Sequence, residues 1–225
     1  MSSSQQSGIS PDLMGIRAIR EIREGDVIFP GFGIPMETIP QYIPPELGVT
    51  LVSENGLVGH GPLLTKETGW EPEQVNAGGN PVTLLPGASF ISELDAFVIM
   101  SRRISLAFLG AYQVSEKGDI ANWKLLERGV ATLGGSMDIA LGAQRVVTLM
   151  NHTDRSGRPR IVKECSQPIT ARGVVNLIIT NLAVIEVTTD GLLLKEIVPG
   201  FSVEEIQALT EPELIISDTL GFMEF

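Results

Sequence analysis

A chain of 225 residues that is 43% hydrophobic and 19% charged can bury a core of domain size, which excludes a disordered chain. Sixteen basic residues against 27 acidic ones leave a net charge of −11, which repels nucleic acid and anionic membrane surfaces alike. The single cysteine, Cys165, rules out an internal disulfide and suits a reducing cytoplasm.

The opening MSSSQQSGIS is polar and lacks the basic stretch and apolar centre of a signal peptide, so residues 1–10 read as a flexible tail. Ser10 and Pro11 supply a cap and a first helical position for DLMGIRAIREIRE, where Met14, Ala18 and Ile22 fall four apart and Gly25 stops the run. DVIFPGFGIP predicts a short buried strand that breaks into a Gly-Pro turn, and METIPQYI a short helix ended by Pro44 and Pro45. GVTLVSENG predicts a second strand whose carboxyl end delivers Glu54 to a turn. PVTLLP, ISLAFLG, RVVTLM, RIVKE, NLAVIEV and LLLKEIV are short and rich in Val, Ile and Leu, and read as strands of one large sheet. In VIEVTTDGLLLKEI, Asp190 and Gly191 form the tight turn of a hairpin. Ser202 and Glu205 stand in capping-box spacing and predict a helix near the C-terminus. The mixture predicts an α/β fold, with residues 11–225 as one domain. The stretch HTDRSGRPR at 152–160 reads as an exposed loop. No run approaches the ~18 consecutive apolar residues that would span a bilayer.

The residues that invite chemistry begin at Ser53, Glu54, Asn55 and Gly56, with Gly59 and Gly61 close behind. One reading is an ordinary solvated turn, since such residues before glycine are common turn material. The other is a ligand site: glycines let backbone approach a bulky ligand, and the carboxyl end of a strand is where α/β proteins build sites. His60 and His152 are far apart in sequence and read as hydrogen-bonded loop residues, no metal-ligand cluster is visible, and Cys165 reads as inert packing. The charges of RSGRPR fit a solvated loop or a contact to a phosphate.

SENGLVGHGP resembles the Ser-Glu-Asn-Gly signature of the beta chain of class I coenzyme A (CoA) transferases, a family that includes 3-oxoacid and 3-oxoadipate CoA-transferases. FGIP, NAGGNPVTLLPGASF, LAFLGAYQVSEKGDIANW, LGGSMDIALGAQRVV and HTDRSGRPRIVKECSQPIT resemble the same chain in the same order, from about Pro11 to the end. Where many members read Asn-Leu-Gly-Ile-Gly-Ile-Pro, this chain has FPGFGIP, with Phe29 and Pro30 before Gly31 and Gly33.

The resemblance implies an open, mixed or parallel sheet flanked by helices, and it makes Glu54 a nucleophile that becomes first an acyl anhydride and then a CoA thioester. A carboxylate suits that role because it alone can carry the thioester without losing its energy as an ester or amide. The resemblance further implies that backbone N–H groups of Gly110 and Ala111 receive the oxyanion, and that Ser53, Asn55, Gly56, Gly31, Gly33 and Gln113 line the substrate or CoA site. Gly134 and Gly135, at a helix entrance, either face CoA or pack tightly. It implies no permanently bound cofactor: acyl-CoA and small carboxylic acids are substrates, with succinyl-CoA and a 3-oxoacid the family-level expectation. It also implies a separate alpha subunit, in an A2B2 heterotetramer or similar. An acyl-CoA hydrolase using the same glutamate, a non-catalytic partner subunit and a sugar-phosphate isomerase are the rivals.

Overall fold

The computed structural model describes residues 8–65, 69, 73–129, 131 and 134–225. Ser10 caps α1 (Pro11–Ala18) by accepting the Leu13 N–H, and a 3-10 turn over Ile19–Glu21 ends the first helical run before Gly25. Ile9, within the expected tail, donates its N–H to the Asn181 carbonyl, while residues 1–7 lie outside the described residues. In chain order there follow β1 (Val27–Pro30), α2 (Ile34–Tyr42), β2 (Thr50–Leu51), β3 (Leu57–Leu63), β4 (Val82–Phe90) and α3 (Glu93–Met100). The next elements are β5 (Leu106–Leu109), β6 (Gln113–Ser115), β7 (Ile120–Ala121), α4 (Ser136–Gly142), β8 (Val146–Met150) and β9 (Ile161–Val162). The chain ends with β10 (Val175–Thr180), β11 (Ala183–Thr188), β12 (Gly191–Ile197), α5 (Val203–Ala208) and β13 (Leu214–Phe222).

Eight strands form the main sheet in the order β13-β12-β11-β10-β8-β5-β1-β2. From β2 to β10 the neighbours are parallel, β11 runs against its neighbours β10 and β12, and β13 returns parallel to β12. The sheet is thus mixed, with its central strands buried on both faces. That is why LAFL of β5 and VVTLM of β8 are unbroken apolar runs whose residues are all buried. Alternation splits them between two cores. Leu106 and Phe108 join Met14, Ala18 and Ile28 under α1 and α2, while Ala107 and Leu109 join Met100 and Ile139 of α3 and α4. Arg17 of α1, buried, grips Glu196 of β12 through Nε and Nη2 at 2.7 Å each, tying the first helix to the far side of the sheet.

Two segments expected in the large sheet lie elsewhere. PVTLLP belongs to β4, which among the described residues forms a two-stranded sheet with β3, and RIVKE contributes β9 to a three-stranded sheet with β6 and β7. Short apolar runs announce a strand but not its partner. The second strand is only two residues long, and the stretch read as a glycine-rich turn is largely β3, whose register against β4 slips on both sides of His60. The C-terminal expectations match: β11 and β12 pair from Ala183↔Ile197 to Thr188↔Gly191, and Ser202 and Glu205 close a full capping box on α5.

Candidate functional site

The order of the sheet reverses at β1. The chain passes from β1 to β2 on one side, and β5, β8 and β10 add on the other. Such a reversal leaves a crevice outside the carboxyl ends of the strands, where open α/β proteins bind ligands. Gly31 and Gly33 follow β1, the Ser53–Gly56 turn follows β2, and Gly110 and Ala111 follow β5. Three separate stretches of predicted site residues therefore meet at one place.

The turn that carries Glu54 is fixed by its neighbours. Ser53 donates its N–H to the Leu57 carbonyl (2.9 Å) and Gly56 donates to the Ser53 carbonyl (3.1 Å). The buried Ser53 Oγ accepts the Ala77 N–H at 2.9 Å, and Asn55 Nδ2 donates to the Val75 carbonyl at 2.8 Å. Both side chains, expected at the substrate, are spent on holding the turn. Gly56 has φ +87°, and a Cβ there would collide with the Ile91 carbonyl, while the Ile91 N–H bonds the Gly56 carbonyl at 2.9 Å. Only glycine fits both conditions. Gly31 donates to the Phe108 carbonyl at 2.7 Å and brings the end of β1 against β5, and Gly33 opens α2. Between them Phe32 is 73% exposed at the crevice, whereas Phe29 and Pro30 are buried in β1.

Glu54 itself is half-buried, and its Oε1 accepts the N–H of Gly135 at 2.5 Å. Gly135 precedes α4 as its cap, and a Cβ on it would stand 2.6 Å from Oε1 and 2.8 Å from Phe97 Cε1. A Cβ on Gly134 would meet Oε1 only at 3.4 Å. The donor that reaches the carboxylate is thus Gly135, not Gly110 or Ala111. The latter two N–H groups have no acceptor among the described residues and remain free donors at the end of β5. Asn122, which sequence reasoning passes over, joins the two donor sets: its Nδ2 donates to the Gly110 carbonyl at 3.1 Å and to Ser136 Oγ at 2.6 Å. Its own Oδ1 accepts from Thr170 Oγ1 at 2.6 Å. Asn122 lies within the quoted motif GDIANW, but no local pattern distinguishes it from turn material. Gln113 is engaged by the 166–167 segment, its Oε1 accepting the N–H groups of Ser166 and Gln167 at 2.9 Å each.

The remaining titratable candidates are buried or half-buried. His60 is buried, its ring 3.1 Å from the Gly61 carbonyl, and burial lowers its pKa. Burial pushes the half-exposed Cys165 thiol up to about 11, so it stays protonated at neutral pH. His152 is fully buried, with Nδ1 and Nε2 each 2.9 Å from a hydroxyl, of Thr180 and Thr210 respectively, and burial lowers its pKa to about 4. The folded chain refuses a proton that the unfolded chain accepts. Stability is therefore full above pH 6.5 and falls as pH drops from there toward about 4, by about 3 kcal/mol in all. Urea unfolding at pH 7 and pH 4.5 should show most of that loss in the native chain, and His152→Asn should lose less between the two pH values. Among the described residues, no three of His, Cys, Asp and Glu gather as metal ligands, and no helix is long and apolar enough to cross a membrane.

The coenzyme A transferase family model matches residues 13–209. The beta chain of a probable coenzyme A transferase of Bacillus subtilis is 40% identical over 89% of this chain and 92% of its own length. The B-type chain of the succinyl-CoA:3-ketoacid coenzyme A transferase of Helicobacter pylori is 38% identical over 88% and 94%. Among solved structures, an acyl-CoA transferase of Escherichia coli O157:H7, in a thioester complex with CoA, superposes with a TM-score of 0.73 at 19% identity. All of this chain is covered, and it spans 44% of the length of that protein.

Proposed function

The chain belongs to the coenzyme A transferase family, and on that premise we propose that it is the catalytic beta-type subunit that moves CoA from succinyl-CoA to a 3-oxoacid through a thioester on Glu54. The observation that carries the reading is the seat of Glu54: a carboxylate at the strand-order reversal, held on one oxygen by a backbone N–H.

The other oxygen, Oε2, accepts no bond from the described residues and is the attacking atom. It adds to the thioester carbonyl of the donor, the C–S bond breaks, and a mixed anhydride and CoA thiolate result. The thiolate then adds to the glutamyl carbonyl, the donor acid departs, and CoA is held on the side chain. An incoming carboxylate runs the same steps backward and leaves as the new acyl-CoA, with no net loss of thioester energy and no ATP. Two different carbonyls become tetrahedral, and each needs donors. Gly135 serves the glutamyl oxygen, because its N–H already lies on Oε1, and the free N–H groups of Gly110 and Ala111 suit the acyl oxygen. Donors placed in this way are worth about 3–4 kcal/mol each in acyl transfer. Asn122 holds the two sets in one frame as a positioning residue.

A carboxylate is a weak nucleophile, so most of the acceleration must come from alignment and from CoA contacts remote from the reacting carbon. An alpha-type partner subunit completes those contacts. The purified chain alone is expected to turn over at least about a hundredfold more slowly than the chain with that partner, a gap of the size that misalignment produces. Equal rates would refute the need for a partner. The reading itself is tested by incubating the assembled protein with succinyl-CoA and examining the Glu54 peptide by mass spectrometry. Attached CoA that disappears when acetoacetate is added is the expected result. A Glu54 peptide that is never modified while transfer proceeds would refute it, and CoA release without an acid acceptor would mark a hydrolase.

A further inference from the structure

Phe32 is 73% exposed and belongs to neither core of the sheet, although Phe29, three residues before it, is buried in one of them. Exposure alone says little, since single apolar residues are common on protein surfaces. Its position says more. β1 pairs with β2 at Ile28↔Leu51 and with β5 at Pro30↔Phe108. Carried one or two residues beyond the strand ends, these registers put Gly31 level with Glu54 and Phe32 level with Gly110, in each case about one strand spacing away, roughly 5 Å. Phe32 therefore stands between the nucleophile and the free donors. A Cβ built on Gly110 would meet only the Phe32 carbonyl, at 3.3 Å, and one on Gly33 would meet nothing within 4 Å. Apart from Phe32, this stretch of the crevice is open. On the other side of the carboxylate the fold already supplies a phenyl ring, because half-buried Phe97 packs against the Gly135 that holds Oε1.

Water is the acceptor that a transferase must refuse. An acid arrives as a carboxylate and is ready to attack, whereas water attacks only with a base to take its proton and with partners to orient it. The segments that meet at the site, residues 31–33, 53–56, 110–111 and 134–136, contain no titratable side chain except Glu54. The two histidines are engaged elsewhere, His60 beside the Gly61 carbonyl and His152 between Thr180 and Thr210. These segments thus supply no base for water, and an apolar ring among them supplies no partner to orient it.

We propose that Phe32 fixes the choice of acceptor, an acid over water, by covering with its ring the glutamyl thioester between Glu54 and the donors of Gly110 and Ala111. The proposal rests on the reading of Glu54 as the residue that carries CoA. With the ring removed, water adds to the glutamyl carbonyl, the C–S bond breaks, and Glu54 returns as a carboxylate with one oxygen from the solvent. Of the two protons of that water, one goes to the CoA thiolate and one to the solvent. Transfer to an acid leaves no solvent oxygen behind, because the oxygen that Glu54 regains comes from the acceptor.

The test loads the assembled enzyme with succinyl-CoA in heavy-oxygen water and weighs the Glu54 peptide over time. Without an acceptor, Phe32→Ala should lose CoA from Glu54 about tenfold or more faster than the native enzyme and take up heavy oxygen there, while transfer to acetoacetate falls by no more than about threefold. Phe32→Leu keeps an apolar cover and should stay within about threefold of the native enzyme in both reactions. The ring is exposed, so neither substitution threatens the fold. Hydrolysis by Phe32→Ala at the native rate, or Phe32→Leu as leaky as Phe32→Ala, would overturn the proposal. So would equal slowing of hydrolysis and transfer, which would make the ring an aid to alignment, or failure of Phe32→Ala to assemble, which would make it a subunit contact. A native enzyme that transfers CoA yet never carries it on Glu54 refutes the reading of Glu54, and the cover falls with it. Labelled Glu54 with equal uptake of heavy oxygen in the native and alanine forms refutes the cover alone.

Discussion

Glu54→Ala and Glu54→Gln in the assembled enzyme should each lower CoA transfer by about 10⁴-fold or more, the scale seen when a covalent nucleophile is removed. The glutamine variant is the sharper of the two. It keeps the length of the side chain and an oxygen for the Gly135 N–H, yet an amide cannot form the anhydride or accept the thiolate. Glu54→Asp keeps the chemistry but withdraws the carboxylate by one methylene, and it should lose about a hundredfold while still carrying CoA on the shorter side chain. Folding should be spared in all three. The turn is held by backbone bonds from Ser53 to Leu57, Gly56 to Ser53 and Ile91 to Gly56, and the Glu54 side chain contributes to none of them. Thermal unfolding within about 0.5–1 kcal/mol of the native chain would establish that the loss is chemical. A variant that keeps native transfer would remove Glu54 from the mechanism and leave the chain a supporting subunit.

That Glu54 can be found in the sequence at all follows from the locality of its signal. A strand end, a tight turn closed by the Gly56 N–H on the Ser53 carbonyl and a glycine needing positive φ occupy consecutive positions, so the chemistry and the geometry that presents it are written together. The same holds for Ser10 at α1, the capping box of α5 and the hairpin at Gly191, each decided within a few residues. The partner of the carboxylate is different. Gly135 stands 81 residues further along, and nothing local separates a glycine that donates to a catalytic group from one that lets a helix pack. The free donors of Gly110 and Ala111 become legible by resemblance, but which carbonyl each donor set serves depends on the order β5-β1-β2, which no strand specifies alone. The same reason hides the small sheets that hold β4 and β9. Hydrophobic runs fix that a strand is buried, and only the packed whole fixes beside what. Asn122 is the extreme case, since its three partners, Gly110, Ser136 and Thr170, come from three separate segments.

The adjacent glycines before α4 offer a test of placement rather than chemistry. Gly135→Ala should lower transfer by about 10²- to 10³-fold, and Gly134→Ala by much less, within about threefold. Alanine at 135 keeps the N–H and meets no backbone strain, because φ there is −70°. Its methyl group, however, would stand 2.6 Å from Glu54 Oε1 and 2.8 Å from the Phe97 ring. Backbone cannot yield at a helix entrance as readily as a side chain can rotate, so the carboxylate moves, by about the ångström that costs two orders of magnitude in an aligned reaction. At Gly134 the added carbon would lie 3.4 Å from the same oxygen, an ordinary contact that displaces nothing. The donor survives in both variants, so a difference between them isolates position. Thioester formation on Glu54, followed by mass under single-turnover conditions, should slow in Gly135→Ala and not in Gly134→Ala. If the two variants were equally active, the bond between Gly135 and Glu54 would not be the arrangement from which the enzyme reacts. If both were equally impaired, the entrance to α4 would matter as a folding unit, with no privileged contact to the nucleophile.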